Sequence, residues 1–524
     1  MDKNHKKMLN ELEGSDRELR RGWAIVVLTI SVFLSAFHLY VAGFGLPGIG
    51  SKTFLIIHVL IGLNLVFCMF PIKKGMRQVK IPWYDLLLAG VSLIVGVYII
   101  QNQTSSSIMS GRPTDIDLIF GLALIILVLE ATRRVVGKPL VIIALVFIAY
   151  FFLGEFIPSQ FQHTRGDFER FVYEITYRNN GIFGTPPIYA SAQFVFIFIL
   201  FGAVLESTGA GKMFIDLALR MFGKYKGGPA KASVVASGLM GSISGSSTAN
   251  AVTTGTFTIP LMKKVGFKPH VAGGIEVAAS SSGQFLPPIM GAAAFIMVEF
   301  TGIPYYEIIK SAFIPAILAY IGILFMVHFE ATKHNIVGID KQELVSGRRL
   351  LAQQGYLLIP ILVLLYFLVG IRVSVNNSAF FSIIVMVVLA VFVQRFKDNF
   401  IRTSVVASGL IVLTILFPFL IGSINQGLEA VNGLLNINFF SAETIRWKPE
   451  ILFLILLSVV LALIFAISQK KMKIENTSVT FSSKQLLTGF ETAARNALSI
   501  IVACATAGIL IGGYNHIRLI NEVY

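Results

Sequence analysis

Gly238-Leu-Met-Gly241-Ser242-Ile-Ser244-Gly245-Ser246-Ser247-Thr248-Ala-Asn250, followed by Thr253, Thr254, Gly255 and Pro260, interrupts an otherwise apolar chain. Lys212, Arg220, Lys224, Lys226 and Lys231 precede it, and Lys263, Lys264 and Lys268 follow it. Two basic flanks place both ends of the segment on one side of a membrane, the cytoplasmic side. The 30 residues 232–261 are too few for two spans of about 20 residues and a turn. They suit a re-entrant hairpin, placed at about 230–262. The tip is poor in helix formers, so its middle is expected to unwind and free carbonyl groups that must meet protein, water or an ion.

The rest of the chain supports this setting. It is 524 residues long, 55% hydrophobic and 14% charged, with a mean hydropathy of +0.76, far from the roughly 25% charged residues of a soluble domain. Apolar runs near 23–42, 53–70, 84–101, 116–131, 139–157, 188–206, 271–299, 306–328, 355–371, 378–394, 402–422, 450–468 and 490–513 predict an all-α polytopic membrane protein. The first run, from Trp23, follows a charged tail and has no small-residue cleavage site, so it reads as a retained helix. Lysine and arginine alternate from loop to loop and place the N-terminus, with Lys3, Lys6, Lys7, Arg17, Arg20 and Arg21, in the cytoplasm. The net charge of +15 lies in these short connections, which argues against nucleic-acid binding. Cys68 and Cys504 sit in apolar runs and read as core residues rather than a disulfide pair or metal ligands.

Chemistry concentrates in two interrupted segments. At the hairpin tip, Ser242, Ser244, Gly245, Ser246, Ser247, Thr248 and Asn250 offer neutral oxygens suited to a hard monovalent cation. The N-terminus of the following half-helix offers amides to an anion. Helix packing through Gly238, Gly241 and Gly245 is the alternative, but packing does not require so many hydroxyls and an amide together. The second segment carries Ser280, Ser281, Ser282, Gly283, Gln284, Pro287 and Pro288. Its prolines remove two donors and break the span into two half-helices around an unwound middle. Glu276, one turn before that break, either neutralises a cation or sits at the membrane interface. Glu206, Asp216 and the Glu130…Arg133-Arg134 group lie at span ends and read as interfacial anchors. Glu491 and Arg495 form an i,i+4 pair, with Arg495 facing a substrate anion as the sharper reading. No Walker A loop, HExxH motif or nucleophile–base arrangement is present, and the eight histidines are scattered. The chain does not read as an enzyme.

Several strings resemble one family: Glu130-Ala-Thr-Arg-Arg134, Gly181-Ile-Phe-Gly-Thr-Pro-Pro187, Phe201-Gly-Ala-Val-Leu-Glu-Ser-Thr-Gly-Ala-Gly211 and Gly227-Gly-Pro-Ala-Lys231, then Val252-Thr-Thr-Gly-Thr-Phe-Thr-Ile-Pro-Leu-Met262 and Pro287-Pro-Ile-Met-Gly-Ala-Ala-Ala-Phe-Ile-Met297. They are similar to the membrane component of tripartite ATP-independent periplasmic (TRAP) transporters in the form with fused small and large subunits. The resemblance implies an elevator mechanism, sodium as coupling ion with no other cofactor, and an organic-acid substrate delivered by an extracytoplasmic solute-binding protein of TAXI type. It implies a bacterial inner-membrane location, a small-subunit-like scaffold over 1–135 and a large-subunit-like transport domain over 136–524. The two interrupted segments would then form one of two half-sites.

The same family implies a second hairpin with a Gly-Met-Gly-Leu-Pro-Thr-like tip. Residues 493–513 resemble the approach to it, whereas 514–524 turn polar and match nothing there. On this reading the chain is a C-terminally truncated or frameshifted form lacking the second half-site. The competing expectation is a scaffold that inserts in the membrane but does not transport.

Overall fold

The computed structural model describes residues 17–398 apart from short breaks, parts of 454–467, and 483–523. The expected span 402–422, much of 450–468, the basic run 469–482 and most of the N-terminal tail lie outside the described residues. Within them the chain is helical without strands, and nine helices are long and apolar enough to cross a membrane. The chain is a polytopic membrane protein, as its composition requires.

The first four long helices are α1 (Arg21–Phe44), α2 (Ser51–Met69), α3 (Trp83–Asn102) and α4 (Asp115–Val135), each within a few residues of an expected span. Helix α4 begins in a capping box in which Thr114 and Asp117 satisfy each other's backbone N–H, and ends on Arg133 and Arg134, where a helix C-terminus favours cations. α5 (Lys138–Leu153) follows. α6 (Phe168–Thr176) stands inside what the sequence suggested was a loop. Glu169 and Arg170 face outward while Phe171, Val172, Glu174 and Ile175 are buried, so it packs on α4 through a face too short to register as a span.

The ends of α2, α3 and α4 meet in an ion cluster. Asp85 of α3 is fully buried between the guanidinium groups of Arg17 and Arg134, the latter at 2.6 Å. Arg134 Nε also pairs with Glu130 at 2.7 Å. The two arginines donate onward to the carbonyls of Phe67, Cys68 and Phe70, which close α2 and lack helical partners. The expected interfacial anchor is therefore an interior clamp: Arg134 turns inward because Asp85, far off in sequence, lies there to receive it.

α7 spans Pro186–Ser207 and widens into a π-helical turn at Ser191–Val195. α8 (Ala210–Phe222) is amphipathic. Then come α9 (Gly228–Ser244), α10 (Ser247–Lys264), α11 (Pro269–Ser282), α12 (Ala292–Thr301), α13 (Tyr305–Lys333), α14 (Gly347–Gly370) and α15 (Val375–Asp398). The last helix, α16, runs over Ser483–Val523 and carries helical backbone through the polar stretch expected to lie outside it. It packs on α7 and on α1, α2, α4 and α5. Thr132 of α4 donates to Val502 O and meets Thr506 Oγ1 at 2.6 Å, and Ser35 of α1 donates to Phe490 O. Helices α9, α10, α11 and α13 instead share a separate apolar core around Val234, Met262, Ala272 and Val327.

Replacing Asp85 by alanine removes the buried acid that Arg17 and Arg134 share and leaves Arg134 only Glu130, a change expected to cost about 3–5 kcal/mol. Unfolding in detergent should occur at a clearly lower temperature. Glu307→Ala, which breaks an exposed pair with Lys310 at 3.9 Å, should leave the transition in place.

Candidate functional site at the hairpin tip and the broken helix

α9 and α10 are the arms of a hairpin, and the unwinding between them is confined to Gly245 and Ser246. Gly245 closes α9 in the left-handed region (φ 63°), its N–H bonded to Gly241 O, and a Cβ there would lie 2.5 Å from Met290 O. Ser246 caps α10 by accepting from the N–H of Ala249 at 3.3 Å. The sequence suggested a longer unwound tip. Glycine and cap together end one helix and start the next in two residues, so Ser247, Thr248 and Asn250 belong to the first turn of α10.

The second interruption agrees with expectation. α11 ends at Ser282, one 3₁₀ turn covers Gly283–Phe285, irregular chain with a cis Pro287-Pro288 bond follows, and α12 starts at Ala292. Tip and break hold each other. Ile289 N–H donates to Ser242 O at 3.0 Å, and Gln284 Nε2 donates to Ser247 Oγ at 3.1 Å. Gly241 and Gly283 face each other so closely that a Cβ on either would come within 2.7 Å of the other's Cα.

Between tip, break, α7 and α16 lies a cavity of about 510 Å³. Ser244, Gly245, Ser246, Ser247, Thr248 and Gln284 supply its polar wall among the residues expected from sequence. Phe198, Phe285 and Phe295 supply much of its apolar wall, and Asn496 and Ser499 reach it from α16. Arg495 is not among the lining residues. It pairs with Glu491 at 3.4 Å, while Asn496 and Ser499, three apart on α16, point to the cavity.

The other expected residues stand around this cavity rather than in its wall. Ser242 is buried and donates to Leu239 O. Ser281 is exposed on α11, Ser282 half-buried, Gly283 buried against Gly241, and Pro287 and Pro288 form the link to α12. Asn250 is 1% exposed: its Nδ2 donates to Ser237 O at 2.8 Å, and its Oδ1 has no hydrogen-bond partner. Ser280 donates to Glu276 at 3.2 Å.

Glu276 is the residue whose weight the sequence left undecided. It is buried among helices, and its carboxylate also accepts from Ser233 and Ser237 of α9 and from Thr254 and Thr258 of α10. Sequence reasoning named Thr254 beside the tip without giving it this role, and passed over Ser233, Ser237 and Thr258. The available signal was spacing: 233/237, 254/258 and 276/280 are each i,i+4 pairs that stack polar groups on one helix face.

Residues 123–466 match the model of the family described as the tripartite ATP-independent periplasmic transporter, DctM component. An uncharacterised protein of Sinorhizobium fredii is 25% identical over 43% of this chain and 55% of its own length. The C4-dicarboxylate TRAP transporter large permease protein DctM of Vibrio cholerae is 30% identical over 32% of this chain and 36% of its own. The sialic acid TRAP transporter permease protein SiaT of Haemophilus influenzae is 26% identical over 25% of this chain and 21% of its own. The chain thus spans about half or less of the length of these curated relatives.

The Gly241–Gly283 contact offers a direct check. Gly241→Ala should separate tip and break and destabilise the protein by about 1–3 kcal/mol in detergent melts. Gly273→Ala on α11, where a Cβ meets nothing within 4 Å, should be neutral or stabilising by up to about 1 kcal/mol.

Proposed function

Since this chain belongs to the DctM family of tripartite ATP-independent periplasmic transporter permeases, we propose that it imports an organic acid across the bacterial inner membrane, driven by a sodium gradient. The substrate is delivered by an extracytoplasmic solute-binding protein of TAXI type. Residues 1–135 act as the small-subunit-like scaffold and 136–524 as the transport part, with the N-terminus in the cytoplasm. The carrying observation is the cavity enclosed by the hairpin tip, the broken helix and α16.

Two chemistries meet there. The first turn of α10 directs free N–H groups and the positive end of its dipole toward the cavity, where a carboxylate gains from both. Gln284, Asn496 and Ser499 add uncharged polar groups that orient such an anion. For a sodium ion, the fit rests on Asn250. Its buried Oδ1 lacks a partner in a site rich in hydroxyl and carbonyl oxygens, the donor set a hard monovalent cation takes. Sodium, when bound, supplies the driving free energy of its gradient. The residues of this chain orient the substrate, exclude lipid and keep tip and break joined. The separate apolar core of α9, α10, α11 and α13 supports an elevator in which this unit moves against helices fastened to the ion cluster.

Uptake of radiolabelled organic acids into proteoliposomes, with the cognate binding protein supplied outside, tests the proposal. Uptake should require an inward sodium gradient and should fail with choline. Asn250→Ala should raise the sodium concentration for half-maximal uptake by about tenfold, the loss of one buried ligand worth roughly 1.4 kcal/mol. Equal uptake with and without sodium would sink the coupling.

A further inference from the structure

The cavity between tip, break, α7 and α16 holds two chemistries, and their balance selects among organic acids. Its polar part is small and local. Ser246 caps the Ala249 N–H, and its carbonyl takes the Asn250 N–H at 3.0 Å, so the helix start leaves the N–H groups of Ser247 and Thr248 without a helical partner. Ser247 Oγ accepts from Gln284 Nε2 at 3.1 Å and keeps its own proton to donate. Both residues line the cavity. Two N–H groups and one hydroxyl suit the two oxygens of a single carboxylate.

The larger part of the wall is apolar. Phe285 after the break, 42% exposed, Ile199 of α7, Ala293 of α12 and Ile500 of α16 present it. Phe198 and Phe295 back this surface with ring centroids 5.2 Å apart, and Tyr305 stacks on Phe295 at 4.5 Å. The Tyr305 hydroxyl donates to Pro288 O at 3.1 Å and also reaches Ile289 O, which fixes the stack to the break. The backing is therefore preformed. Asn496 and Ser499 interrupt the apolar wall, and among the described lining residues none carries a charge. A second carboxylate, or a hydroxyl on every carbon, would lose water to this surface and gain too few partners. We propose that the substrate is a monocarboxylate with an apolar body, a ring or a branched carbon chain. Its carboxylate sits on the first turn of α10, and its body packs against Phe285, Ile199 and Ile500. C4-dicarboxylates and sialic acid, after which two relatives are named, carry a second charge or many hydroxyls that such a wall cannot pair. This inference rests on the reading of an organic-acid permease and names the class of acid.

The test is equilibrium dialysis of radiolabelled phenylacetate against the purified chain in detergent and sodium chloride. Only label displaced by excess unlabelled phenylacetate is counted, which removes partition into micelles. The parent should bind saturably. Phenylacetamide, which keeps the body and loses the charge, should compete at least about tenfold more weakly, and so should succinate and sialic acid. Phe285→Ala should weaken phenylacetate binding by about tenfold, whereas Ser281→Ala, on α11 outside the cavity wall, should bind like the parent. If Phe285→Ala does not fold, Ile500→Ser gives the second reading, with a loss of similar size. Succinate or sialic acid competing as well as phenylacetate would overturn the inference and leave an organic-acid permease standing. A folded Phe285→Ala or Ile500→Ser variant with the parent's affinity would overturn the assigned wall. A folded parent without saturable phenylacetate binding would overturn the substrate class, while sodium-driven uptake in proteoliposomes decides separately whether the permease reading falls with it.

Discussion

Inside a bilayer every backbone donor and acceptor must find a partner within the protein, and the architecture around the two interruptions follows from that constraint. A helix that stops at membrane depth exposes N–H and C=O groups, so the chain can stop only where another stop supplies their complements. α9 ends at Gly245 and α11 ends at Ser282, and the two ends meet: Ile289 N–H finds Ser242 O, and Gln284 finds Ser247. Gly241 and Gly283 make the meeting possible because neither presents a side chain. The groups left over, the first N–H groups of α10 and the oxygen of Asn250, line or adjoin the cavity. The site is what remains when two helix breaks satisfy each other incompletely.

The surroundings divide into fastened and separable parts. Arg17, Asp85 and Arg134 tie the tail, α2, α3 and α4 together, and Thr132 with Ser35 ties α16 to that group. His38, His58 and Ser191 continue the fastening toward α7. His38 Nδ1 lies 2.9 Å from Leu34 O, which only accepts, so His38 Nε2 accepts a hydrogen bond from His58 Nδ1–H, and His58 Nε2 accepts one from the Ser191 hydroxyl. The hairpin and α13 keep a core of their own. One wall of the cavity thus belongs to the fastened group through Asn496 and Ser499, and the opposite wall to the hairpin.

Much of this was legible in the amino-acid order because its causes are local. Runs of apolar residues gave the first four spans to within a few residues, whereas α14 and α16 begin well before their expected runs; glycine and serine at 245 and 246 carry the conformations that end and start a helix, and two prolines interrupt α11–α12. Cooperation between distant segments was not legible. Asp85 in the first turn of α3 and Arg134 in the last turn of α4 are 49 positions apart, and nothing near Asp85 announces a guanidinium. His38 and His58 looked scattered because their contact depends on the crossing of α1 and α2. Glu276 looked ambiguous because one carboxylate near a break says nothing about depth; its meaning comes from hydroxyls on two other helices. α6 was missed because it is only 9 residues long, too short for a span, and carries Glu169, Arg170 and Glu174 among them.

The central claim is that the tip and the break form one ion-responsive site. It is tested most directly by placing a single cysteine at Ser247, in a chain whose Cys68 and Cys504 have been replaced, and timing its alkylation in membrane vesicles. The account expects sodium, compared with potassium, to slow labelling at 247 several-fold while a cysteine at the exposed Ser281 labels equally in both. Identical rates at 247 in sodium and potassium, in protein that remains folded, would contradict it.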